Sequence, residues 1–183
     1  MEKKNWDQLI AGCLKEDRSS QKNLYKVYYG FAMRICLRYA NNTDDAVKIM
    51  NEGFFNVFTR IAAFKNEEFL RAFISSVMVT TSIKYYRGSL TIGSAWDDPT
   101  EIELLLTTEN IIHEEQNHRD IISMLGQLPL ASRLIFNLFA IDGFSLEEIA
   151  MLLNITPAKS QTYLLKARKK LRKLLFGEDA LVI

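Results

Sequence analysis

A stretch near the C-terminus carries residues suited to contacting nucleic acid. Six of the eight residues 166–173 are Lys or Arg, and no acid interrupts them. Such a density of cations fits the phosphate backbone, and polar residues just before it could bond base edges in a groove. A solvated basic helix end that complements the helix dipole is the alternative. The candidate DNA-binding residues here are Thr156, Lys159, Ser160, Gln161, Tyr163, Lys166, Arg168, Lys169 and Lys170.

Other chemistries find less support in the sequence. His113 and His118 are five residues apart, which places them on different faces of a helix, so a metal site is disfavoured. Cys13 and Cys36 lie on helical apolar patterns and are interpreted as small buried side chains rather than a redox pair. Neither a Gly-rich phosphate loop nor a catalytic triad is recognisable. We therefore expect no enzymatic activity, no metal and no cofactor.

The basic stretch is predicted to form the second helix of a helix-turn-helix. Ser145 and Glu148 match a capping box, in which each side chain bonds the backbone amide of the other residue. The first helix is expected to end at Asn154, which tolerates positive φ, and Thr156 can cap the second. A turn of about three residues makes the two helices cross steeply, and Ala150 supplies a small residue where they touch.

The spacing of apolar residues in this second helix predicts its orientation. The side facing the core is expected to carry Ile155, Leu164, Ala167, Leu171 and Leu174 or Leu175. The N-terminal end, with Lys159, Ser160, Gln161 and Tyr163, would then point into the major groove. The cations from Lys166 onward would contact phosphates.

Helical periodicity extends through most of the chain, and no strand-like alternation persists. Four helices are expected within residues 1–87, the third running from about Asp44 to Ala62. A further helix is expected from Leu130 to Ile141, closed by Gly143 in the left-handed conformation. The predicted fold class is all-α, with an N-terminal helical bundle and a C-terminal helix-turn-helix domain.

Charge divides the chain into three segments. Residues 1–87 carry 14 basic and 9 acidic residues, residues 88–118 carry 7 acids and no Lys or Arg, and residues 119–176 carry 9 bases and 4 acids. This pattern predicts nucleic-acid-facing domains at 1–87 and 119–183, joined by an acidic linker at 88–118. We expect the linker to cover DNA-binding surface in the free protein. A plain solvated spacer is the alternative.

Composition indicates a folded protein of the cytoplasm. Of the 183 residues, 48% are hydrophobic and 25% charged, which suffices for a packed core. No apolar run approaches the roughly 20 residues of a membrane-spanning helix, and the first residues lack a hydrophobic signal region. Direct insertion into a membrane is therefore not expected.

Several short motifs occur in an order and spacing typical of one family. In the C-terminal part they are Leu128-Pro129, Ile135-Phe136-Asn137-Leu138, Asp142-Gly143-Phe144-Ser145, Glu148-Ile149-Ala150 and Lys166-Ala167-Arg168-Lys169-Lys170-Leu171. In the N-terminal part they are Leu37-Arg38-Tyr39, Asp44-Asp45-Ala46, Asn51-Glu52-Gly53-Phe54, Val57-Phe58 and Phe64-Lys65. The first set resembles domain four, and the second domain two, of the extracytoplasmic-function (ECF) sigma factors of bacterial RNA polymerase.

The resemblance implies a subunit that confers promoter specificity. Domain two would dock on the clamp helices of the largest polymerase subunit through Asp45, Asn51, Glu52 and Phe54, with Phe54 partly buried and the three polar residues exposed. It would hold the −10 element near Arg71, Phe73, Lys84 and Arg87. Domain four would read the −35 element with the helix after Thr156. The implied partners are core polymerase, promoter DNA and an anti-sigma factor.

Domain two departs from the family pattern. Val47-Lys48 stands in place of a usual acidic pair, Phe73 in place of a usual Trp, and Ser75-Ser76 in place of a usual Arg pair. Two rival functions therefore stay open. One is a stand-alone helix-turn-helix regulator that binds DNA as a symmetric dimer. The other is a sigma-like adaptor or decoy that binds polymerase without opening promoters.

Overall fold

The computed structural model of the chain describes residues 3–63, 67–91 and 116–176, which form helices and turns without a β-strand. Four helices precede the gap at 92–115: α1 (Lys3–Leu14), α2 (Arg18–Tyr39), α3 (Thr43–Thr59) and α4 (Glu67–Thr91). Four follow it: α5 (Gln116–Gly126), α6 (Leu130–Phe136), α7 (Leu146–Leu153) and α8 (Pro157–Phe176). The all-α prediction is confirmed. Most of the predicted acidic linker, with the covering role expected of it, lies outside the described residues.

The helices group into two units. Of the described residues, those within 1–36 and 44–82 form the first unit, and those within 37–43 and 83–183 form the second. The last turn of α2 and the last turns of α4 therefore belong to the second unit. The functional boundaries expected from charge, at residues 87 and 118, stay a prediction.

Helix α3 contributes large buried side chains to the core of the first unit. Ile49, Met50 and Phe54 on this helix are fully buried, and the Phe54 ring lies 4.6 Å from that of Tyr25 on α2. Gly53 sits where α3 approaches α4: a Cβ at this position would lie 2.5 Å from the sulfur of Met78. A larger residue would require the Met78 side chain to move, so glycine leaves room for it.

Helices α6 and α8 contribute to the core of the second unit. Leu134, Ile135 and Leu138 are fully buried, and Ala167 of α8 packs in a cluster with Leu125 and Leu128. The helix expected over Leu130–Ile141 is regular only to Phe136. It continues as one π-helical turn (Asn137–Ile141), in which the Asp142 amide donates to the Asn137 carbonyl at 3.0 Å. Gly143 follows at φ +79°, as the sequence predicted.

A buried polar cluster joins the end of α2 to the π-helical turn within the second unit. The Arg38 guanidinium donates to the Asp142 carboxylate at 3.0 Å, and the Tyr39 hydroxyl donates to the same carboxylate. The Asn137 amide donates to the Arg38 carbonyl at 2.7 Å. Burial, aided by the Asp142 charge, raises the pKa of Tyr39 above its usual range. The phenol therefore stays protonated and able to donate.

Candidate nucleic-acid interface

The first helix of the predicted helix-turn-helix is capped as its sequence indicated. The Glu148 amide donates to the Ser145 hydroxyl at 3.1 Å, and the Ser145 amide donates to the Glu148 carboxylate at 2.7 Å. The helix ends at Asn154, whose φ of 55° lies in the left-handed region. Both features restrict where α7 can begin and end.

The second helix, α8, starts directly after a short turn. The Lys159 amide donates to the Thr156 hydroxyl at 3.2 Å, and Pro157 occupies the first helical position, where no amide is needed. Ala150 is buried, and its carbonyl accepts from the Ile155 amide at 3.0 Å. The helix-turn-helix prediction is confirmed in its caps, turn and bounds.

The exposed face of α8 carries most of the predicted DNA-binding residues. Those accessible to solvent are Thr156, Lys159, Gln161, Lys166, Arg168, Lys169 and Lys170. The Arg168 guanidinium lies 5.5 Å above the ring of Phe139, a packing that limits its freedom. The helix therefore presents polar side chains near its start and cations along the remainder.

Two of the predicted contacts fall on buried positions. Ser160 and Tyr163 are buried, so neither side chain can reach base edges from this position. Successive helical residues are about 100° apart, which puts Ser160 on the same face as Leu164 and Ala167. Tyr163 adjoins that face and holds the Lys166 ammonium 5.0 Å above its ring. The same geometry exposes Thr162, which sequence reasoning missed although helical periodicity indicates it.

The α3 surface also requires a correction. Phe54, expected to be partly buried, is only 2% exposed and packs in the core. Phe55 is 69% exposed and is the aromatic residue that this face presents. Asn51 and Glu52 are exposed, and Asn51 accepts a hydrogen bond from the Tyr25 hydroxyl at 3.0 Å. Asp45 is half-buried, with its carboxylate 3.8 Å from the Lys48 ammonium.

Helix α4 carries the residues expected near the −10 element. Arg71 is exposed, and its guanidinium lies 4.6 Å above the ring of Phe31. Phe73 is half-buried, whereas Lys84 and Arg87 are exposed. On this helix, the Phe73 ring is therefore partly accessible to solvent, and Lys84 and Arg87 are more so.

The described part of the chain offers neither a metal site nor a membrane span. No group of three or more His, Cys, Asp or Glu residues within it could hold a metal ion. None of its helices is both long enough and apolar enough to cross a bilayer. His113 and the His118 side chain lie outside the described residues.

The chain is similar to several known proteins. A family model for sigma-70 region 4 matches residues 118–171, which include the helix-turn-helix. The chain is 27% identical over 146 residues to "RNA polymerase sigma factor SigV" of Bacillus subtilis (strain 168), covering 80% of this chain and 85% of that protein. A solved structure of CnrH in complex with the cytosolic domain of CnrY superposes with a TM-score of 0.47 at 17% identity, covering 93% of this chain and 96% of that one.

The two sequence matches indicate the same class of protein. The region 4 match falls on the capped helix pair whose second helix exposes the cations. The sigma factor relative aligns well beyond this pair, across most of both chains. Residues 118–171 therefore match sigma-70 region 4, and the chain is similar over most of its length to an RNA polymerase sigma factor.

Proposed function

We propose that the chain acts as an RNA polymerase sigma factor that reads the −35 element with the exposed face of α8 while α3 docks on core polymerase. The observation that supports this division most strongly is the helix-turn-helix. Both of its helices are capped, and α8 has a solvent-exposed face. This face carries polar residues near the N-terminal end of the helix and cations toward the C-terminal end. In this motif the N-terminal residues of the second helix contact bases, and the flanking cations contact phosphates.

The proposed roles on α8 follow from exposure. Lys159 and Gln161 are placed to bond base edges because they are exposed in the first turns of the helix. Lys166, Arg168, Lys169 and Lys170 follow on exposed positions and supply phosphate contacts. Phosphate contacts raise affinity for all sequences, whereas the base contacts select one sequence.

The polymerase-docking surface is proposed on the outer face of α3. Asn51 and Glu52 supply polar contacts, and the exposed ring of Phe55 supplies the apolar anchor that Phe54, being buried, cannot. An aromatic side chain surrounded by polar groups is typical of an interface hot spot. Asp45 contributes from the first turn of the same helix.

Residues 1–87 are proposed to act as the polymerase-docking and −10 module, and residues 119–183 as the −35 module. On α4, Phe73, Lys84 and Arg87 would contact the −10 element, with Arg71 near the start of the helix. The protein then acts in the cytoplasm as a binding subunit with no chemistry of its own. An anti-sigma factor is a further partner implied by the family.

Reconstitution with core polymerase tests this proposal. The chain is mixed with cognate core RNA polymerase and promoter fragments, and the complex is mapped by DNase footprinting. Holoenzyme should protect both the −35 and the −10 element, while the free chain protects neither at the same concentration. Equal protection of a two-fold symmetric site by the free chain would instead support a stand-alone regulator.

A further inference from the structure

Leu165 lies on the exposed face of α8. It is 57% exposed, whereas the neighbouring Leu164 is only 4% exposed. An isolated surface leucine is ordinary in proteins. Leu165 is different in its position, because it follows Gln161 by one helical turn on the face that the helix-turn-helix presents to DNA.

The residues around Leu165 form an outward strip of methyl groups (Ala158, Thr162 and Leu165). The Thr162 hydroxyl donates to the Ala158 carbonyl at 2.9 Å, so its hydrogen is used within the helix. All three residues are exposed, and helical geometry places them on the side opposite the buried Ser160 and Ala167. Polar and charged residues border the strip on both sides: Lys159 and Lys166 on one, Gln161 and Arg168 on the other. Lys169 follows Leu165 by one turn on the strip's own side of the helix.

This arrangement limits what the centre of the face can recognise. Leu165 has no donor or acceptor, so it gains nothing from the hydrogen-bonding edges of guanine, cytosine or adenine. Thymine alone presents an apolar group in the major groove, its 5-methyl group. The bordering cations would hold the strip against the duplex through phosphates on both sides.

We propose that Leu165 is a specificity-determining residue that packs against a thymine 5-methyl group of the −35 element. The inference rests on the proposed function of α8, and it names the chemical group of the DNA that Leu165 would recognise. It requires the −35 element to contain a thymine next to the base pair contacted by Gln161. Burial of one methyl group is worth about fourfold in affinity.

Deoxyuridine substitution tests this inference because it removes only the methyl group. Each thymine of the −35 element is replaced in turn, and binding of the duplex by reconstituted holoenzyme is measured by competition. At one position the wild-type protein should prefer thymine by about fourfold. Leu165→Ala should abolish that preference and leave the base preference set by Gln161 unchanged. Met151→Ala, which trims another exposed apolar residue of the helix pair, should retain it.

The outcomes separate the two proposals. A Leu165→Ala protein with the wild-type ratio at every position, or a wild-type protein indifferent to every substitution, would overturn the inference alone. Failure of holoenzyme to bind any promoter fragment would overturn the proposed function and the inference together. Because Leu165 is exposed and alanine favours helix, loss of folding is not expected, and circular dichroism checks this.

Discussion

Arg38 and Asp142 form an ion pair at 3.0 Å although 104 positions separate them in the sequence. Their side chains are only 10% and 12% exposed. Both residues belong to the second unit, where Tyr39 also donates to the Asp142 carboxylate. The pair therefore ties the end of α2 to the turn that precedes the helix-turn-helix.

Removing one partner should cost stability, because the other charge would stay buried and unpaired. We expect Asp142→Ala to lower the free energy of unfolding by about 3–5 kcal/mol. Glu147→Ala removes an exposed carboxylate in the same region and serves as the matched control, with little expected change. Chemical denaturation measures both. Equal stability of Asp142→Ala and wild type would show that the pair contributes nothing.

Adjacent phenylalanines on α3 should respond differently to truncation. Phe54→Ala should destabilise the first unit by about 3–5 kcal/mol, because it leaves a cavity in the core. Phe55→Ala should leave the unfolding temperature nearly unchanged and weaken binding to core polymerase. Glu52→Ala should behave like Phe55→Ala, to a smaller degree. Thermal unfolding and titration with labelled core polymerase distinguish these effects.

The opposite pattern would reassign the docking surface. If the folded Phe55→Ala variant binds polymerase as tightly as wild type, the outer face of α3 is not an interface. A large loss of stability in Glu52→Ala with docking intact would give that residue a structural role.

Base and phosphate contacts on α8 should be separable by mutation. Gln161→Ala should cost about 1–3 kcal/mol on the preferred sequence and relax preference at one base pair. Lys169→Ala should weaken binding to all sequences alike and lower the dependence of log affinity on log salt concentration by about one. Competition with single-base promoter variants across a salt series measures both. A change of base preference in Lys169→Ala but not in Gln161→Ala would reverse the groove assignment.

The Cys13 thiol should be unreactive in the folded protein. Burial, with a contribution from Asp17, raises the pKa of Cys13 to about 11. The folded state therefore favours the protonated thiol, and the stability that this adds is present below pH 9 and lost as the pH rises toward 11. Iodoacetamide at pH 8 should label Cys13 only after unfolding, as read by peptide mass spectrometry. Rapid labelling of the native protein would show an accessible thiolate and reopen a redox role.

Features set by neighbouring residues were predictable from sequence. The Ser145–Glu148 capping box and the Thr156 cap each span three residues, so their signal is local. The same periodicity that placed Leu164 inside also places Ser160 there, and a strict count would have excluded it as a base contact. Likewise, Phe54 fits the apolar stripe of α3, whereas Phe55, one residue on, points about 100° away.

The remaining features depend on tertiary contacts that leave no local signal. Nothing near Asp142 indicates an arginine 104 positions earlier as its partner. The π-helical turn after Phe136 interrupts a sequence with ordinary helical periodicity, so its position could not be read from the apolar pattern. The short motifs pointed to the family, but burial was needed to decide which residues can contact a partner.

Run-off transcription tests the central claim most directly. Cognate core RNA polymerase is incubated with genomic fragments, with and without the chain, and transcript starts are mapped. We predict discrete starts that require the chain, each preceded by two conserved elements at one spacing, and loss of those starts with a Lys166→Ala, Lys169→Ala double variant. Transcription that is unchanged by adding the chain, despite its binding to core polymerase, would contradict a promoter-specificity function and support a decoy.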